Sequence, residues 1–303
     1  MESGYTSLIG YCKTDITFFK MEKTMKIKIV ADSSANLYTL DGPDFDFAPV
    51  PLKVLAGGRE YVDDCRLDVP QMLKELKEYK GKSSTACPSV GDWLEAFGDA
   101  DIVYGSAITS HLSGCYNAAA IAADEYRGRY PDRKVFILDT LSTGPEMELI
   151  TEKYRELIFS GLEFEQVCRE IRAYQQRTHL MFSLESLSNF AKNGRVSPAL
   201  AAAVGILGIR IVGKASEIGD LEPMHKCRGE KRAISKIWEC MKELGYRGGK
   251  VRLRHSYNLE AAEKLAELIR DEYPDCDLKI GPNRGLCCYY AEEGGLLAGF
   301  ETE

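Results

Sequence analysis

The chain has 303 residues, of which 45% are hydrophobic and 28% are charged, and its formal net charge at pH 7 is −7. This composition is typical of a soluble globular protein, and the length suggests about two domains. The negative charge excludes a general nucleic-acid-binding protein, because affinity for a phosphate backbone requires clustered Lys and Arg. No apolar run approaches the roughly 20 residues that span a bilayer, and the opening residues lack the apolar segment of a secretion signal. We therefore expect a cytoplasmic protein without a membrane span.

The ten cysteines are scattered along the chain, and only Cys287 and Cys288 are adjacent. No Cys-x-x-Cys pair occurs, and no pair has the spacing of a zinc site. Isolated cysteines of this kind usually pack as small apolar side chains. The sequence therefore predicts buried, reduced thiols and no metal site.

Strands and helices alternate in the first half of the chain. Residues 1–24 show no clear periodicity and are interpreted as an N-terminal extension without an assigned function. After them we predict strands at 26–32, 102–108 and 135–139, a short apolar segment at 48–54, and helices at 69–79, 113–126 and 144–159. This alternation indicates a mostly parallel sheet flanked by helices, in which ligands bind beyond the carboxyl ends of the strands. The loops at Asp32, Thr109 and Asp139 should therefore meet at one edge.

The pattern changes at about Gln175, and the rest of the chain is predicted to form a second α/β domain. We predict strands at 177–182 and 250–254, helices at 184–192, 199–211, 229–244 and 259–272, and a turn at 193–198. The segment 199–211 is almost wholly apolar, and it suits a core helix or the wall of a ligand tunnel equally well. The predicted domain limits are therefore 25–174 and 175–303.

Two hydroxyl-rich segments, 83–89 and 109–116, each precede a helix in this interpretation. Hydroxyl groups can donate hydrogen bonds to an anion, and the free amides at a helix N-terminus add partial positive charge. Neither segment contains Lys or Arg, so a carboxylate or phosphate held there would be held by neutral dipoles. This chemistry favours binding or delivery of a ligand over hydrolysis. The alternative interpretation is that Thr85, Ser89 and Ser113 are ordinary turn and helix-capping residues.

Five motifs, in this order and spacing, resemble one family. They are Lys-Ile-Lys-Ile-Val-Ala-Asp-Ser-Ser-Ala-Asn-Leu at 26–37, Thr-Ala-Cys-Pro-Ser at 85–89, Leu-Ser-Gly-Cys-Tyr-Asn-Ala at 112–118, Leu-Asp-Thr-Leu-Ser at 138–142 and Asn-Gly-Arg-Val-Ser at 193–197. Together they resemble the DegV family, the bacterial fatty-acid-binding proteins, some of which serve as the carrier subunit of fatty acid kinase. The resemblance runs from about residue 25 to the C-terminus.

The resemblance implies two α/β domains of the DegV type and a long-chain fatty acid bound between them, with the C-terminal domain forming a wall of the acyl-chain tunnel. Thr85 and Ser113 would hydrogen-bond the carboxylate, and Gly114 would offer a backbone amide. Arg195 resembles an arginine implicated in engaging the partner kinase, which phosphorylates the bound carboxylate to an acyl phosphate. The chain itself would be a non-catalytic, monomeric carrier with no cofactor besides the bound acid, and with no nucleic-acid partner.

The sequence departs from the family pattern at the head-group end. A Thr-His-Thr-Gly-Pro-Gly-like segment of the family corresponds here to 285–290, which contains no histidine, and Tyr289 is a candidate replacement hydroxyl. Ala86 and Cys87 replace a polar pair. Two alternatives remain open: an acyl hydrolase or transferase that uses Ser113, with His111 nearby but no Gly-x-Ser-x-Gly elbow, and a carrier of another amphipathic acid.

Overall fold

The computed structural model describes residues 25–204 and 208–303, so the predicted extension at 1–24 lies outside the described residues. The strands are β1 (Ile27–Asp32), β2 (Asp46–Val50), β3 (Lys53–Ala56), β4 (Arg59–Val62), β5 (Ser84–Ala86), β6 (Ile102–Ala107), β7 (Lys134–Asp139), β8 (Thr178–Leu184), β9 (Ile209–Ala215), β10 (Leu221–Arg228), β11 (Val251–His255), β12 (Leu278–Pro282) and β13 (Leu296–Glu301). The helices are α1 (Val69–Glu78), α2 (Val90–Phe97), α3 (Cys115–Arg129), α4 (Gly144–Phe159), α5 (Phe164–Gln175), α6 (Ser188–Lys192), α7 (Pro198–Val204), α8 (Glu230–Glu243), α9 (Leu259–Glu272) and α10 (Gly285–Ala291), with a 3₁₀ turn at Ser33–Ala35.

The first half of the chain builds a four-stranded sheet in the order β2-β1-β6-β7, and all of its strand pairs are parallel. Its strands bury Val, Ile and Tyr side chains on both faces, as a sheet covered by helices requires. The carboxyl ends meet at one edge, because the Ile108 N–H donates to Asp32 Oδ2 at 2.7 Å and the Ser110 N–H donates to Asp139 Oδ1 at 3.2 Å. The predicted convergence of these loops is confirmed.

The second half builds a six-stranded sheet in the order β10-β9-β8-β13-β11-β12, in which only the β11–β12 pair is parallel. The helix predicted at 199–211 is wrong at 209–211, which belong to β9, and residues 205–207 lie outside the described part of the chain. Gly208 has a φ of +79°, a conformation that ends helices. A continuous apolar run fits a buried strand as well as a buried helix, so periodicity could not separate the two.

A small antiparallel sheet, in the order β4-β3-β5, was not predicted. It places Thr85 opposite Val54 on a strand, so the segment 83–89 is only partly a loop. Ser89 then starts α2 in a reciprocal capping arrangement, in which its hydroxyl accepts from the Asp92 N–H and the Asp92 carboxylate accepts from the Ser89 N–H. The first hydroxyl segment is therefore held by strand pairing at one end and by a helix cap at the other.

Helix α4 joins the two halves, because it packs on β13, β11 and β8 of the second sheet as well as on β6 of the first. Its first turn lies directly on β13 at Gly299. A Cβ atom at Gly299 would lie 2.3 Å from the carbonyl carbon of Pro145 and 2.4 Å from the Glu146 nitrogen. Glycine is therefore the residue that permits this close approach.

We expect Gly299→Ala to lower the free energy of unfolding by about 1–3 kcal/mol, because the added methyl group overlaps backbone atoms that cannot rotate away. Urea denaturation measures this directly. Gly128→Ala is the matched control, since Gly128 lies in α3 with open space around its Cβ position; there the exchange should be neutral or raise stability by about 0.5–1 kcal/mol. Equal effects of the two substitutions would contradict the close approach at Gly299.

Candidate ligand-binding site

A narrow apolar cavity lies between the two large sheets. The first half of the chain contributes Leu52 and Ile108 to its lining, and the second contributes Leu184, Leu221 and Leu297. The space between its walls amounts to about 660 Å³, including a part that is open to solvent, and it is narrow over most of that volume. Such a shape accommodates a thin, extended apolar group.

One wall of the cavity is the face of β8 that carries Leu180, Phe182 and Leu184. Alternate residues of a strand point to the same face, so these three side chains form a continuous apolar stripe. Leu297 on β13 is the register partner of Phe182 and extends the wall sideways. Met181 packs into the core behind the sheet instead.

Polar side chains from three segments of the chain line one end of the cavity, which we call the mouth. They are Thr85 on β5, Ser113 before α3, and Arg195 in the turn after α6. The structure therefore brings together three of the four residues that the sequence singled out. Gly114 follows Ser113 and is exposed, but it is not among the cavity-lining residues in the part of the chain that the structure describes.

Ser113 lines the cavity and directly precedes Gly114, the N-cap residue of α3. Its hydroxyl accepts a hydrogen bond from the Cys115 N–H at 3.3 Å, and its own N–H donates to the Thr109 carbonyl at 3.2 Å. These bonds hold the hydroxyl at the start of α3, where free amides favour an anion. The bond from Cys115 uses the Ser113 oxygen as an acceptor, so the hydroxyl proton can still be donated to a ligand.

Arg195 brings a positive charge to the mouth from a distant segment. Gly194, with a φ of +74°, makes the turn that directs it there. The Arg195 side chain donates from Nε to the Leu112 carbonyl at 3.1 Å and from Nη1 to the Asn193 carbonyl at 2.9 Å, and within 25–204 and 208–303 it forms no ion pair. The two hydroxyl segments contain no Lys or Arg, and the sequence therefore indicated a site made only of neutral groups. The structure adds the positive charge of Arg195 to that site.

Tyr290 is a residue of the mouth that the sequence reasoning missed. Its hydroxyl lies 2.7 Å from Thr85 Oγ1, and its ring lines the cavity beneath the Arg195 guanidinium, whose carbon is 5.7 Å from the ring centroid. Burial raises the pKa of Tyr290 above its usual value, so the phenol is a neutral hydrogen-bonding group. The proposed replacement Tyr289 is buried instead, with its hydroxyl 2.8 Å from Ser83 Oγ.

The spacing of apolar residues in 285–291 could have indicated that Tyr290 faces the cavity. Leu286, Cys287, Tyr290 and Ala291 all line the cavity, and their spacing is that of one side of a helix. No helix was predicted from the sequence at 285–291, so the helical spacing of these residues could not be recognised. Tyr289 was chosen from the sequence as the replacement hydroxyl, whereas the next residue, Tyr290, faces the cavity.

His111 contacts Asp220 rather than the mouth. Its Nδ1 atom lies 3.3 Å from Asp220 Oδ1, and both side chains are substantially exposed. Among the contacts of the described residues, no hydrogen bond joins His111 to Ser113. His111 is therefore not positioned to act as the base of a Ser113 nucleophile.

Two kinds of feature are absent from residues 25–204 and 208–303. No group of three or more His, Cys, Asp and Glu side chains is arranged to hold a metal ion there. No helix within those same ranges is both long enough and apolar enough to span a membrane.

The fold and the site define an α/β protein with a narrow apolar cavity between two sheets and a hydrogen-bonding, cationic mouth. Residues 26–300 match the family model for "Uncharacterised protein, DegV family". The chain belongs to the DegV family. The family resemblance and the α/β fold class of the DegV type, both predicted from the sequence, are confirmed.

Similar proteins of known sequence and structure span nearly the whole chain. A DegV domain-containing protein of Streptococcus pneumoniae is 41% identical over 281 residues, which cover 92% of this chain and 100% of that protein. The crystal structure of the Streptococcus pneumoniae fatty acid kinase (Fak) B3 protein loaded with linoleic acid is 41% identical, with a TM-score of 0.90 and coverage of 92% and 100%. That of a DegV family protein from Eubacterium eligens loaded with heptadecanoic acid is 42% identical, with a TM-score of 0.89 and coverage of 91% and 100%.

Proposed function

We propose that this protein binds one long-chain fatty acid, with the acyl chain in the cavity and the carboxylate at the mouth, and presents it to the catalytic subunit of a fatty acid kinase. The observation that carries the proposal is a narrow apolar cavity whose polar end gathers Thr85, Ser113, Tyr290 and Arg195. The two relatives described above, which carry linoleic and heptadecanoic acids, support the ligand class. The Fak B3 relative supports a kinase partner.

Most of the affinity would come from the acyl chain. Each buried CH2 contributes about 0.8 kcal/mol, so a long chain outweighs any single hydrogen bond at the carboxylate. The polar contacts would set the register of the acid and keep its carboxylate at the opening, where a partner can reach it.

The carboxylate would accept hydrogen bonds from the hydroxyls of Thr85 and Ser113 and from the backbone amide of Gly114. Tyr290 would position the Thr85 hydroxyl, to which it is already hydrogen-bonded. Hydroxyls and amides leave an oxygen lone pair available, whereas a bidentate arginine pair would hold both oxygens. Arg195 binds two backbone carbonyls, so we assign it to the partner and to the phosphorylated product.

We assign a separate role in ligand binding to each of the two domains predicted from the sequence. Residues 25–174 would carry the carboxylate-binding segments, and residues 175–303 would form the tunnel wall and supply Arg195. Tyr290 extends this scheme, because α10 belongs to the second part of the chain but packs on β3 and α1 of the first. We expect a monomeric carrier that needs no cofactor besides its acid.

Native mass spectrometry of the purified protein tests the proposal. We expect a mass increment equal to one long-chain fatty acid, released by organic extraction and identified by its mass. A protein without acid, or with a different amphipathic acid, would contradict the assigned ligand. Labelling of Ser113 by an acyl-phosphonate probe together with ester turnover would favour the hydrolase alternative instead.

We expect Ser113→Ala and Thr85→Ala each to weaken retention of the acid roughly tenfold or more, because a hydrogen bond to a charged group contributes about 1.5–3 kcal/mol. Displacement of a fluorescent fatty acid measures the change. Ser110→Ala is the matched control, since Ser110 lies in the same loop and is exposed. Unchanged retention in both variants would contradict the proposed carboxylate site.

A further inference from the structure

The cavity stripe on β8 ends in a polar residue. Counting away from the mouth along the same face, Leu184, Phe182 and Leu180 are followed by Thr178, which is buried. The Thr178 hydroxyl donates to Glu146 Oε1 at 3.0 Å. The apolar surface therefore stops at Leu180, and a hydrogen-bonded carboxyl group lies at the next position.

Glu146 is a deeply buried acid, with 5% of its surface exposed. Its second oxygen accepts from the Ser142 hydroxyl, and no cation pairs with it within the described ranges. Burial raises the pKa of this carboxyl to about 7, so a protonated form is readily reached. A buried acid of this kind needs both hydroxyl partners, because an unpaired polar group in an apolar interior is costly.

Near Glu146, the backbone of α4 packs directly against the backbone of β13. Gly299 is the register partner of Leu180, and the first turn of α4 lies against Gly299 at the Pro145 carbonyl. Thr143, which precedes this turn, lines the cavity. Thr143 and Leu180 line the cavity, whereas Ser142, Glu146 and Thr178 lie behind them, and the sheet and the helix leave no gap between them at Gly299.

We propose that Glu146, together with Thr178 and Ser142, forms the end wall behind Thr143 and Leu180 and thereby sets the longest acyl chain that the protein accepts. This inference rests on the proposed fatty-acid-binding function and deepens it. One more buried CH2 gains about fourfold in affinity. Breaking a buried hydrogen bond of the wall costs roughly five- to 150-fold. A chain that is one carbon too long therefore cannot displace the wall.

The test offers the full-length protein an equimolar series of saturated acids that differ by two carbons, and native mass spectrometry records which are retained. The wild-type protein should show a sharp upper limit of chain length. Glu146→Ala removes the wall, so acids about two carbons beyond that limit should gain at least tenfold in retention. Glu146→Gln occupies the same space and can bond both hydroxyls, so it should restore the wild-type limit.

Two further variants keep the test decisive where Glu146→Ala folds poorly. Thr178→Ala removes part of the same wall and should raise the limit, whereas Leu180→Phe, one position nearer the mouth, should lower it. An unchanged limit in folded Glu146→Ala or Thr178→Ala overturns the end wall while leaving the proposed function intact. Failure of every variant and of the wild-type protein to retain any acid overturns the proposed function itself.

Discussion

Replacing Arg252 with Ala is expected to lower the free energy of unfolding by about 3–5 kcal/mol, the largest stability effect that we predict. Arg252 on β11 is buried, and only 1% of its side chain is exposed. Its guanidinium donates to Glu152 Oε2 on α4 from Nη2 at 2.6 Å and from Nε at 3.0 Å, and to Asp277 Oδ2 at 3.0 Å. Removing the cation leaves Glu152, which is buried on α4, without its main partner.

Urea denaturation of the variant measures this loss. Lys279→Ala is the control, because Lys279 also reaches Glu152, at 3.1 Å, but has 51% of its side chain exposed; a cation that remains in contact with water loses little when its ion pair is removed, so we expect about 0–1 kcal/mol. The double variant Arg252→Met with Glu152→Met should recover most of the stability, since a buried pair can be replaced by apolar side chains of similar volume. Similar losses for Arg252→Ala and Lys279→Ala would contradict the assignment.

Replacing Arg195 with Ala is expected to reduce kinase-dependent phosphorylation of the bound acid by roughly two to three orders of magnitude while acid retention changes only a few fold. Phosphorylation converts a singly charged carboxylate into a more highly charged acyl phosphate, and an arginine beside a transferring phosphoryl group contributes strongly to the rate. Arg195 is the cation that lines the mouth, and its Nη2 forms no hydrogen bond to the described residues. The acyl chain, by contrast, supplies most of the retention.

Two measurements separate these effects: acid occupancy by native mass spectrometry, and acyl-phosphate formation with a fatty acid kinase catalytic subunit. Arg195→Lys keeps the charge but not the planar fork, so it should recover part of the activity. An equal loss of retention and phosphorylation would mean that Arg195 instead anchors the carboxylate. Full activity in Arg195→Ala would exclude both roles.

Local sequence patterns predicted the long elements well. The predicted limits of α4 and α9 agree with the structure, because each combines a recognisable start signal with helical spacing of its apolar residues over several turns. Three parallel strands of the first sheet, β1, β6 and β7, are short runs of apolar residues between turn signals, and they were also predicted, whereas the apolar segment predicted at 48–54 covers the end of β2 and the start of β3. The residues that determine such helices and strands lie within the element or next to it in the sequence.

Helix α10 shows why other elements could not be predicted. It has only seven residues, and its Cys-Cys-Tyr-Tyr run gives no strong helical signal. Its first amides are satisfied from far along the chain: Asp63 accepts from the Gly285 N–H at 2.9 Å and from the Leu286 N–H at 3.1 Å. The start of this helix therefore depends on a residue in the loop after β4.

The sequence by itself determined the α/β class, the family, and the two hydroxyl segments that contain Thr85 and Ser113, since each rests on short motifs or on local periodicity. Only the tertiary structure decided which side chains complete the site. Tyr290 reaches Thr85 across the chain, Arg195 enters the mouth from a turn in the second half, and Glu146 bonds to Thr178 beyond the end of the apolar stripe. These contacts join residues that lie far apart in sequence, and they form only when α4 and α10 bring the two sheets together.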